Sequence, residues 1–380
     1  MTIVYSTTLL LLSIYGILLA YYHRSFKKMP ENETVPSGFI PTTPITVVVP
    51  ARNEAANIKS CIQSILAQEY PQELLQCIII DDHSEDNTAT IVNQITDPRL
   101  RLVSLEKEFL TGATNAYKKK AIETGISLAT GELIVTTDAD CIAGPKWLKT
   151  IVYCYQKNGA VLIAGPVKMK RENGALQLFQ SLDFMSLQGI TAASVYSGFH
   201  SMCNGANLAY TKKAFHSVEG FKGIDALASG DDMLLMHKIA RQFPGKIHYL
   251  KSQAAIVSTE PAKSLKAFLQ QRIRWASKAQ AYEDKSVFRV LLLVYIMNLL
   301  MLLLMVMAFF SVQQVLWLLL FLFIKTGVEW PFMHSITAFY QEKRLLKFFP
   351  LFQPFHILYT VLAGSFGQFG TYEWKGRRVR

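Results

Sequence analysis

The sequence predicts an α/β domain with a mostly parallel sheet, preceded by a transmembrane anchor and followed by membrane helices. Short, nearly continuous runs of valine, isoleucine and leucine alternate with helical segments between residues 45 and 137. Strands that are buried on both faces of a parallel sheet have this pattern. Uncharged stretches of about 20 residues or more near both ends indicate the membrane segments.

The N-terminal segment has the length and composition of a membrane-spanning helix. It carries no charged residue from Thr2 to Tyr22. A basic cluster follows this run: His23, Arg24, Lys27 and Lys28. A cleavable signal peptide, the alternative, has its positive charge before the apolar run. We therefore predict an uncleaved anchor over residues 1–30, with its C-terminal side in the cytoplasm, and a linker over residues 31–44.

The C-terminal region, residues 287–380, contains two further uncharged stretches. Val290 to Ile324 would be about 50 Å long as one helix, too long for a hydrocarbon core of about 30 Å. The polar residues Ser311, Gln313 and Gln314 near its middle therefore predict two helices joined by a tight turn. Phe348 to Tyr372 is also uncharged but contains two prolines and a histidine. For this stretch, spanning, re-entrant and interfacial placements all stay open.

The charge distribution favours a membrane surface over nucleic acid as a partner. The net charge is +11, and basic residues cluster beside the apolar segments. Residues 261–286 form one such cluster and predict an amphipathic helix on the bilayer surface. The chain has five cysteines without zinc-like spacing, which fits a reducing compartment. Cys61 and Cys77 lie within apolar runs and are predicted to be core residues.

The domain over residues 45–260 begins with four strands separated by helices. The strands are predicted at 45–50, 74–80, 100–105 and 132–137, with helices near 58–66, 86–95 and 118–128. Such sheets bind ligands at the carboxyl ends of their strands. The polar residues just after the strands are therefore the candidate site: Ala51–Glu54, Asp81–Asp86 and Asp138–Asp140.

Asp138 and Asp140 are the candidate metal ligands. Two carboxylates at a strand end can hold Mg²⁺ or Mn²⁺ between protein and phosphate, and the cation would neutralise a diphosphate leaving group. The alternative is an ordinary turn with solvated aspartates. Asp81 and Asp82 could accept hydrogen bonds from a nucleotide, or Ser84 or Asp86 could cap the next helix. Likewise, the Pro50–Glu54 segment could contact a nucleotide or start a helix, with Asn53 as its cap.

Three further motifs carry candidate side chains. The lysines at 118–120 begin a helix, where the dipole disfavours cations, so a nearby anion such as a diphosphate would explain them. A solvated charge run is the alternative. One of Asp231 and Asp232 could cap a helix while the other acts as a general base. Arg274 could clamp phosphate and Trp275 could wall a sugar site, unless this aromatic only marks a membrane-surface helix.

Taken together, these segments resemble the family 2 glycosyltransferases of the GT-A fold, especially the membrane-bound members. The shared order covers about residues 45–280: VVVPARNEAANI, IIIDDHSEDNT, KKKAIETGI, TTDADC, NGANLAY, SGDD and QRIRW. The resemblance implies an inverting enzyme that uses a nucleoside-diphosphate sugar, usually a UDP-sugar, and a divalent metal. The acidic pair is Asp-Asp here rather than the usual Glu-Asp, and the lysine segment lacks the common preceding glycine.

The resemblance also implies a role for each matching residue. The nucleoside and donor would be bound by Pro50, Arg52, Glu54, Asp81, Asp82 and Asp138, with Lys119 or Lys120 near the diphosphate. Asp138 and Asp140 would hold the metal, and Asp232 would be the catalytic base beside Asp231. The QxxRW motif of processive and lipid-acceptor members corresponds to Gln271, Arg274 and Trp275. Asn204, Gly205 and Asn207, with Trp275, fall where the acceptor meets the donor sugar.

The expected function is therefore sugar transfer from a nucleotide donor to a lipid or lipid-linked acceptor, at the cytoplasmic face of the cell membrane. A processive polysaccharide synthase is the alternative enzyme, although it would need more membrane helices for a channel. A non-catalytic nucleotide-sugar-binding protein is the alternative of another class. A transporter is disfavoured on the expectation that the apolar segments hold no charged residue at mid-membrane.

Overall fold

A computed structural model describes residues 2–30, 35–105, 116–199, 202–225, 230–277 and 284–369, and the backbone of two short C-terminal strands. The described helices are α1 (Thr2–Lys28), α2 (Ile58–Leu66), α3 (Thr88–Asn93), α4 (Tyr117–Leu128), α5 (Trp147–Asn158), α6 (Ala175–Ser197), α7 (Lys212–Ser217), α8 (Met233–Gln242), α9 (Leu265–Ala276), α10 (Lys285–Met307), α11 (Val312–Phe339) and α12 (Phe349–Phe369). The described strands are β1 (Ile45–Ala51), β2 (Leu75–Asp81), β3 (Leu100–Ser104), β4 (Leu133–Thr136), β5 (Ile142–Ala143), β6 (Leu162–Ala164), β7 (Val167–Met169), β8 (Leu208–Thr211), β9 (Ile247–Tyr249), β10 (Val257–Thr259), β11 (Tyr372–Trp374) and β12 (Arg377–Val379).

The main sheet confirms the predicted α/β architecture. Its seven strands run in the order β3-β2-β1-β4-β8-β6-β9. β1 is parallel to β2 and β4, β2 is parallel to β3, and β8 is antiparallel to β4. Ala51 pairs with Asp81, and Val48 pairs with Thr136. This register brings the segments that leave β1, β2 and β4 to the same edge of the sheet.

The chain divides into two compact units. One comprises residues 30–170, 201–260 and 373–380 and contains the main sheet. The other comprises residues 1–29, 171–200 and 261–372 and contains α1, α6 and α9–α12. Residues 171–200, which we assigned from sequence to the 45–260 domain, therefore group with the apolar helices. Residues 278–283 of the predicted amphipathic helix lie outside the described residues, and its last two residues belong to α10.

Among the described residues, four helices are long and apolar enough to cross a membrane: Thr2–Lys28, Lys285–Met307, Val312–Phe339 and Lys343–Gly367. α10 and α11 are separated at 308–311, so the predicted pair of helices is confirmed. Proline is compatible with the first turn of a helix, and Pro350 is the second residue of α12. Residues 349–369 of the stretch with the open placement thus form one helix, and residues 343–367 have the length and composition of a span.

The expectation that the apolar segments hold no charged residue at mid-membrane needs a correction at α11, a candidate span that is longer than the uncharged run. α11 continues beyond the uncharged run and includes Lys325 and Glu329, both buried. The Lys325 ammonium donates to Glu329 at 2.6 Å and to Gln353 of α12 at 2.7 Å, and Tyr15 of α1 donates to Glu329 at 2.8 Å. Buried charges are tolerated when they are paired in this way, because each polar group keeps its hydrogen bonds.

Gly131 provides a test of how β4 is held beside β1. A β-carbon at this position would lie 2.4 Å from the Thr46 nitrogen and 2.5 Å from the Ile45 carbonyl carbon, both backbone atoms. We expect Gly131→Ala to lower the free energy of unfolding by about 1–3 kcal/mol, as overpacking does in a core. Thermal unfolding of the purified protein in detergent would measure the loss.

Gly144→Ala is the matched control, because a β-carbon there has nothing within 4 Å. Its free energy of unfolding should stay within about 0.5 kcal/mol of the parent protein. Equal effects of the two alanine substitutions would contradict the close approach of the chain at Gly131.

Candidate active site

The loop after β1 is tied to the loop after β2 by Arg52. The buried Arg52 guanidinium donates to the carbonyl oxygens of Asp82 and His83 at 2.9 and 2.8 Å, and it pairs with the Glu85 carboxylate at 3.0 Å. Asn53, with a left-handed φ of 52°, accepts a bond from the Glu85 N–H at 2.8 Å. Arg52 thus holds the loop after β1 against the loop after β2. Asn53 is not the predicted helix cap, since α2 begins only at Ile58.

The acidic residues predicted to bind a nucleoside lie in these same loops. Asp81 and Asp82 are buried, and the Asp82 carboxylate lies 2.9 Å from Nδ1 of His83. Glu54 is half-buried, and its carboxylate accepts a bond from the Asn57 amide at 3.0 Å. Asp86 accepts backbone N–H bonds from Ala55 and Thr88. Desolvation raises the pKa of its carboxyl group, but the hydrogen bonds outweigh desolvation, so the pKa is lowered. Hydrogen bonds therefore join the loops after β1 and β2 at this edge of the sheet.

Lys118 is the lysine that reaches the carboxylates at this edge. Its ammonium lies 2.8 Å from Asp138 and 3.3 Å from Asp231. Burial alone lowers the pKa of Lys118, but the carboxylates of Asp138 and Asp231 outweigh it and raise the pKa well above its usual range. Lys118 is therefore a permanent cation here, and it joins the segment after β4 to the segment before α8.

The other two lysines of the run have different partners. Lys119 is buried and donates to the carbonyl of Ile224 at 2.5 Å. Lys120 is more exposed and lies 3.5 Å from Glu123, one helical turn away. The prediction that one of these two lies near a diphosphate stays untested, while the geometry favours their neighbour Lys118. The three lysines point in different directions because consecutive helical residues are rotated by about 100°.

The two aspartates before α8 differ in their contacts. Asp231 is buried and pairs with Lys118. Asp232 caps α8: one carboxylate oxygen accepts the Met233 N–H at 2.7 Å and the other accepts the Gly205 N–H at 3.1 Å. A β-carbon on Gly205 would lie 3.2 Å from the Asp231 carboxylate. A larger residue at this position would therefore require the Asp231 carboxylate to shift by a few tenths of an ångström.

Asp138, Asp140 and Cys141 are grouped as metal ligands would be, with one ligand atom of each within 4.8 Å of the others. Both aspartates are half-buried, and Asp140 also accepts a bond from the Thr259 hydroxyl at 3.1 Å. Burial raises the pKa of the Cys141 thiol well above its ordinary value, so it stays protonated. Hard cations bind oxygen, and a protonated thiol is a poor ligand. The two carboxylates therefore fit Mg²⁺ or Mn²⁺, and Cys141 does not.

Asn204, Gly205 and Asn207 lie beside this cluster but differ in availability. Asn207 is buried, and its amide donates to the carbonyls of Pro166 and Ala255, each at 2.8 Å, and accepts from Trp147 at 2.9 Å. The Asn204 side chain accepts the Ala206 N–H at 2.9 Å. The structure thus gives Asn207 a core role, and its predicted contact with the acceptor stays untested.

The remaining predicted residues belong to the unit with the apolar helices. Gln271, Arg274 and Trp275 are half-buried residues of α9. Within that unit, the ring centroid of Trp275 lies 6.1 Å from that of Phe184 of α6. The predicted role of the QxxRW side chains in donor and acceptor binding stays a prediction.

Two protein-family models match the chain. One, described as glycosyl transferase family 2, matches residues 46–217, and the other, described as glycosyl transferase family group 2, matches residues 133–365. The second match covers more than half of the chain. Both include the segments that carry Asp138 and Asp140.

Curated relatives are identical to this chain at about a quarter of the aligned residues. Glycosyltransferase AglE of Haloferax volcanii is 27% identical over 144 residues, which are 38% of this chain and 46% of the relative. Poly-beta-1,6-N-acetyl-D-glucosamine synthase of Staphylococcus epidermidis is 25% identical over 270 residues, which are 70% of this chain and 62% of the synthase. The chain therefore spans only about half to three-fifths of the length of these relatives.

A solved structure confirms the predicted GT-A fold. The mannosyltransferase PcManGT of Pyrobaculum calidifontis, determined with GDP-Man and Mn²⁺, superposes with a TM-score of 0.61 at 18% identity. The match covers 95% of this chain and 99% of that one. At this identity the likeness concerns the fold alone.

The ligand chemistry of the acidic cluster leads to a testable prediction. In the presence of UDP, Asp140→Asn should weaken Mn²⁺ binding by about 10- to 100-fold or more, since even outer-shell changes have effects of that size. Electron paramagnetic resonance of free Mn²⁺ would measure the dissociation constant. Cys141→Ser is the control and should leave the constant within about twofold, because a hard cation does not need the thiol. A larger loss in Cys141→Ser than in Asp140→Asn would contradict the oxygen-ligand assignment.

Proposed function

This chain belongs to glycosyltransferase family 2, and we propose that it transfers a sugar from a UDP donor to a lipid or lipid-linked acceptor with inversion at the anomeric carbon. The observation that carries the proposal is the acidic cluster with Lys118 at the carboxyl edge of the parallel strands. A parallel α/β sheet binds its ligands at this edge. Carboxylates with a permanent cation among them suit a diphosphate that arrives together with a divalent metal.

In this proposal the donor lies across the loops after β1, β2 and β4. Glu54, Asp81 and Asp82 accept hydrogen bonds from the nucleoside, on a loop that Arg52 holds in shape. Asp138 and Asp140 would hold Mg²⁺ or Mn²⁺, and the bound cation would supply positive charge beside the departing diphosphate. Lys118, rather than Lys119 or Lys120, is the lysine nearest that diphosphate. The Lys118 ammonium has three N–H donors, so in this proposal it donates to phosphate oxygens while it stays paired with Asp138.

The chemical step is one in-line displacement. Asp232 removes the proton from the acceptor hydroxyl, and the oxygen attacks the anomeric carbon from the face opposite the diphosphate. The new glycosidic carbon–oxygen bond forms as the bond between the anomeric carbon and the phosphate oxygen breaks, so the configuration inverts. The N–H groups of Met233 and Gly205 fix the orientation of the Asp232 carboxylate, which accepts the proton in this proposal.

The apolar helices support a lipid acceptor. Four described helices can cross a membrane by length and composition, and the basic residues Arg24, Lys27 and Lys28 end α1. By the positive-inside tendency, this end lies in the cytoplasm, and we propose that the catalytic unit that follows lies there too. The enzyme would then meet a cytoplasmic nucleotide sugar and a membrane-embedded acceptor at the same surface.

A panel transfer assay tests the proposal. The full chain, purified in detergent, is incubated with radiolabelled UDP-sugars, Mn²⁺ and a total lipid extract, and the label is then partitioned into organic solvent. Lipid-soluble label that depends on Asp232 supports the proposal. Binding of UDP without transfer of label to any lipid would contradict it.

A processive polysaccharide synthase is the second candidate, favoured by the likeness to the poly-beta-1,6-N-acetyl-D-glucosamine synthase. The same assay distinguishes the two by product length. A ladder of products on a gel indicates processive synthesis, whereas a single added sugar indicates the proposed activity.

The contrast between Asp231 and Asp232 predicts different consequences of their loss. Asp232→Asn should lower the turnover number by about 10²- to 10⁴-fold, the usual contribution of a general base, while UDP affinity is retained. Asp231→Asn should cost less turnover and should weaken metal-dependent UDP binding instead, because Asp231 pairs with Lys118. Calorimetry and initial rates separate the effects. The reverse pattern would assign the base to Asp231.

Lys118 and Lys120 form a matched pair for testing the diphosphate contact. Lys118→Ala should weaken UDP binding by about 10- to 100-fold, as expected for loss of a hydrogen bond to a charged group. Lys120→Ala should change it by no more than about twofold, because its pairing with Glu123 is a surface contact. Calorimetric titration with UDP measures both. Similar losses in the two variants would argue against a specific role for Lys118.

A further inference from the structure

Arg272 is a buried charge inside the QxxRW segment that the motif itself does not specify. Arg272 is only 4% exposed, whereas Gln271 and Arg274 on either side of it in α9 are half-buried. A buried guanidinium needs an opposite charge, because desolvation otherwise makes its burial very unfavourable. Asp183 of α6 supplies that charge: a carboxylate oxygen lies 2.6 Å from Arg272 Nη2, and both residues are buried.

Tyr359 of α12 completes this arrangement. Its hydroxyl donates to the second carboxylate oxygen of Asp183 at 2.5 Å. Asp183 therefore binds α9 with one oxygen and α12 with the other. We name Asp183, Arg272 and Tyr359 the anchoring triad. It joins three helices through charge-assisted hydrogen bonds, which are stronger and more directional than neutral ones.

Arg272 also contacts two of the three motif side chains. Its Nη1 donates to the Gln271 side-chain oxygen at 3.1 Å. Its guanidinium carbon lies 4.2 Å from the ring centroid of Trp275 and 4.8 Å from that of Phe268, within the distance of a cation–π contact. A shift of Arg272 therefore changes the surroundings of Gln271 and Trp275 together.

We propose that the anchoring triad positions Gln271 and Trp275 for the transfer reaction. Asp183 and Tyr359 are positioning residues that act through Arg272. The assignment of a reaction to Gln271 and Trp275 rests on the proposed function. The positioning of these side chains rests on the contacts above. The two parts can therefore fail separately.

Tyr359→Phe is the informative substitution, because it removes one hydroxyl and leaves the ring and its packing in place. Its matched control is Tyr295→Phe. The Tyr295 hydroxyl of α10 bonds to Ser365 of α12 at 2.9 Å, so it is the same kind of contact to the same helix, away from the triad. Asp183→Asn would leave a buried guanidinium without its counter-charge and could prevent folding.

The first readout does not depend on activity. Hydroxyl-radical oxidation of Trp275, read by peptide mass spectrometry on the full chain in detergent, should rise in Tyr359→Phe and stay at the parent level in Tyr295→Phe. Equal oxidation in the parent protein and in Tyr359→Phe would overturn the proposal, whether or not the protein proves to be a transferase.

The second readout is a double-mutant cycle on the turnover number. Tyr359→Phe should lower turnover by roughly 5- to 100-fold, since small displacements of positioned groups have effects of this order. In a background that carries both Gln271→Ala and Trp275→Phe, the same substitution should have an effect of about twofold or less, because its effect passes through these two side chains. If Tyr359→Phe lowers the turnover number by the same factor in both backgrounds, or if Tyr295→Phe lowers it as much as Tyr359→Phe does, Tyr359 acts only on stability. Either result would overturn the proposal. If the parent protein transfers no sugar, the function fails, and the oxidation of Trp275 still decides the positioning.

Discussion

Repulsion among carboxylates at one edge of the sheet is the constraint on which the catalytic unit depends. Asp138 and Asp140 follow β4, Asp231 and Asp232 precede α8, and Lys118 links the two segments. The lysine and the N–H groups at Gly205 and Met233 neutralise part of this charge. The remaining negative charge favours a divalent cation. The same charges that would destabilise the empty fold are thus the ones that the proposed reaction uses.

The helical unit meets a similar constraint in an apolar setting. Lys325 and Glu329 pair within α11, and Arg272 pairs with Asp183 between α9 and α6. Each pair is completed by polar groups of other helices, Gln353 and Tyr15 in the first case and Tyr359 in the second. Removing one member would leave a buried charge unpaired, whereas the intact clusters define which helices meet and in what register.

The sequence was sufficient for features that depend on local pattern, and insufficient for those that depend on tertiary contacts. Continuous apolar runs predicted β1–β4, and the acidic residues after them could be placed at one edge because parallel strands end together. The choice among Lys118, Lys119 and Lys120 could not be made, since one residue along a helix changes the direction of the side chain by about 100°. The contacts of Asp183 were missed because its partners are far away in the sequence. Arg272 is 89 residues from Asp183, and Tyr359 is 176 residues from it. The buried charge of Lys325 was missed because the uncharged run ends at Ile324, whereas α11 continues to Phe339.

The measurement that tests the account most directly is a calorimetric titration of the purified full chain with UDP, in Mn²⁺, in Mg²⁺ and in EDTA. The acidic cluster predicts binding with either metal and loss of binding in EDTA, because the charge of Lys118 is paired with Asp138 and Asp231 and the diphosphate needs a divalent cation beside the carboxylates. UDP binding that is as tight in EDTA as in Mn²⁺ would contradict the metal assignment. Absence of binding of both UDP and GDP, with metal present, would contradict the donor site itself.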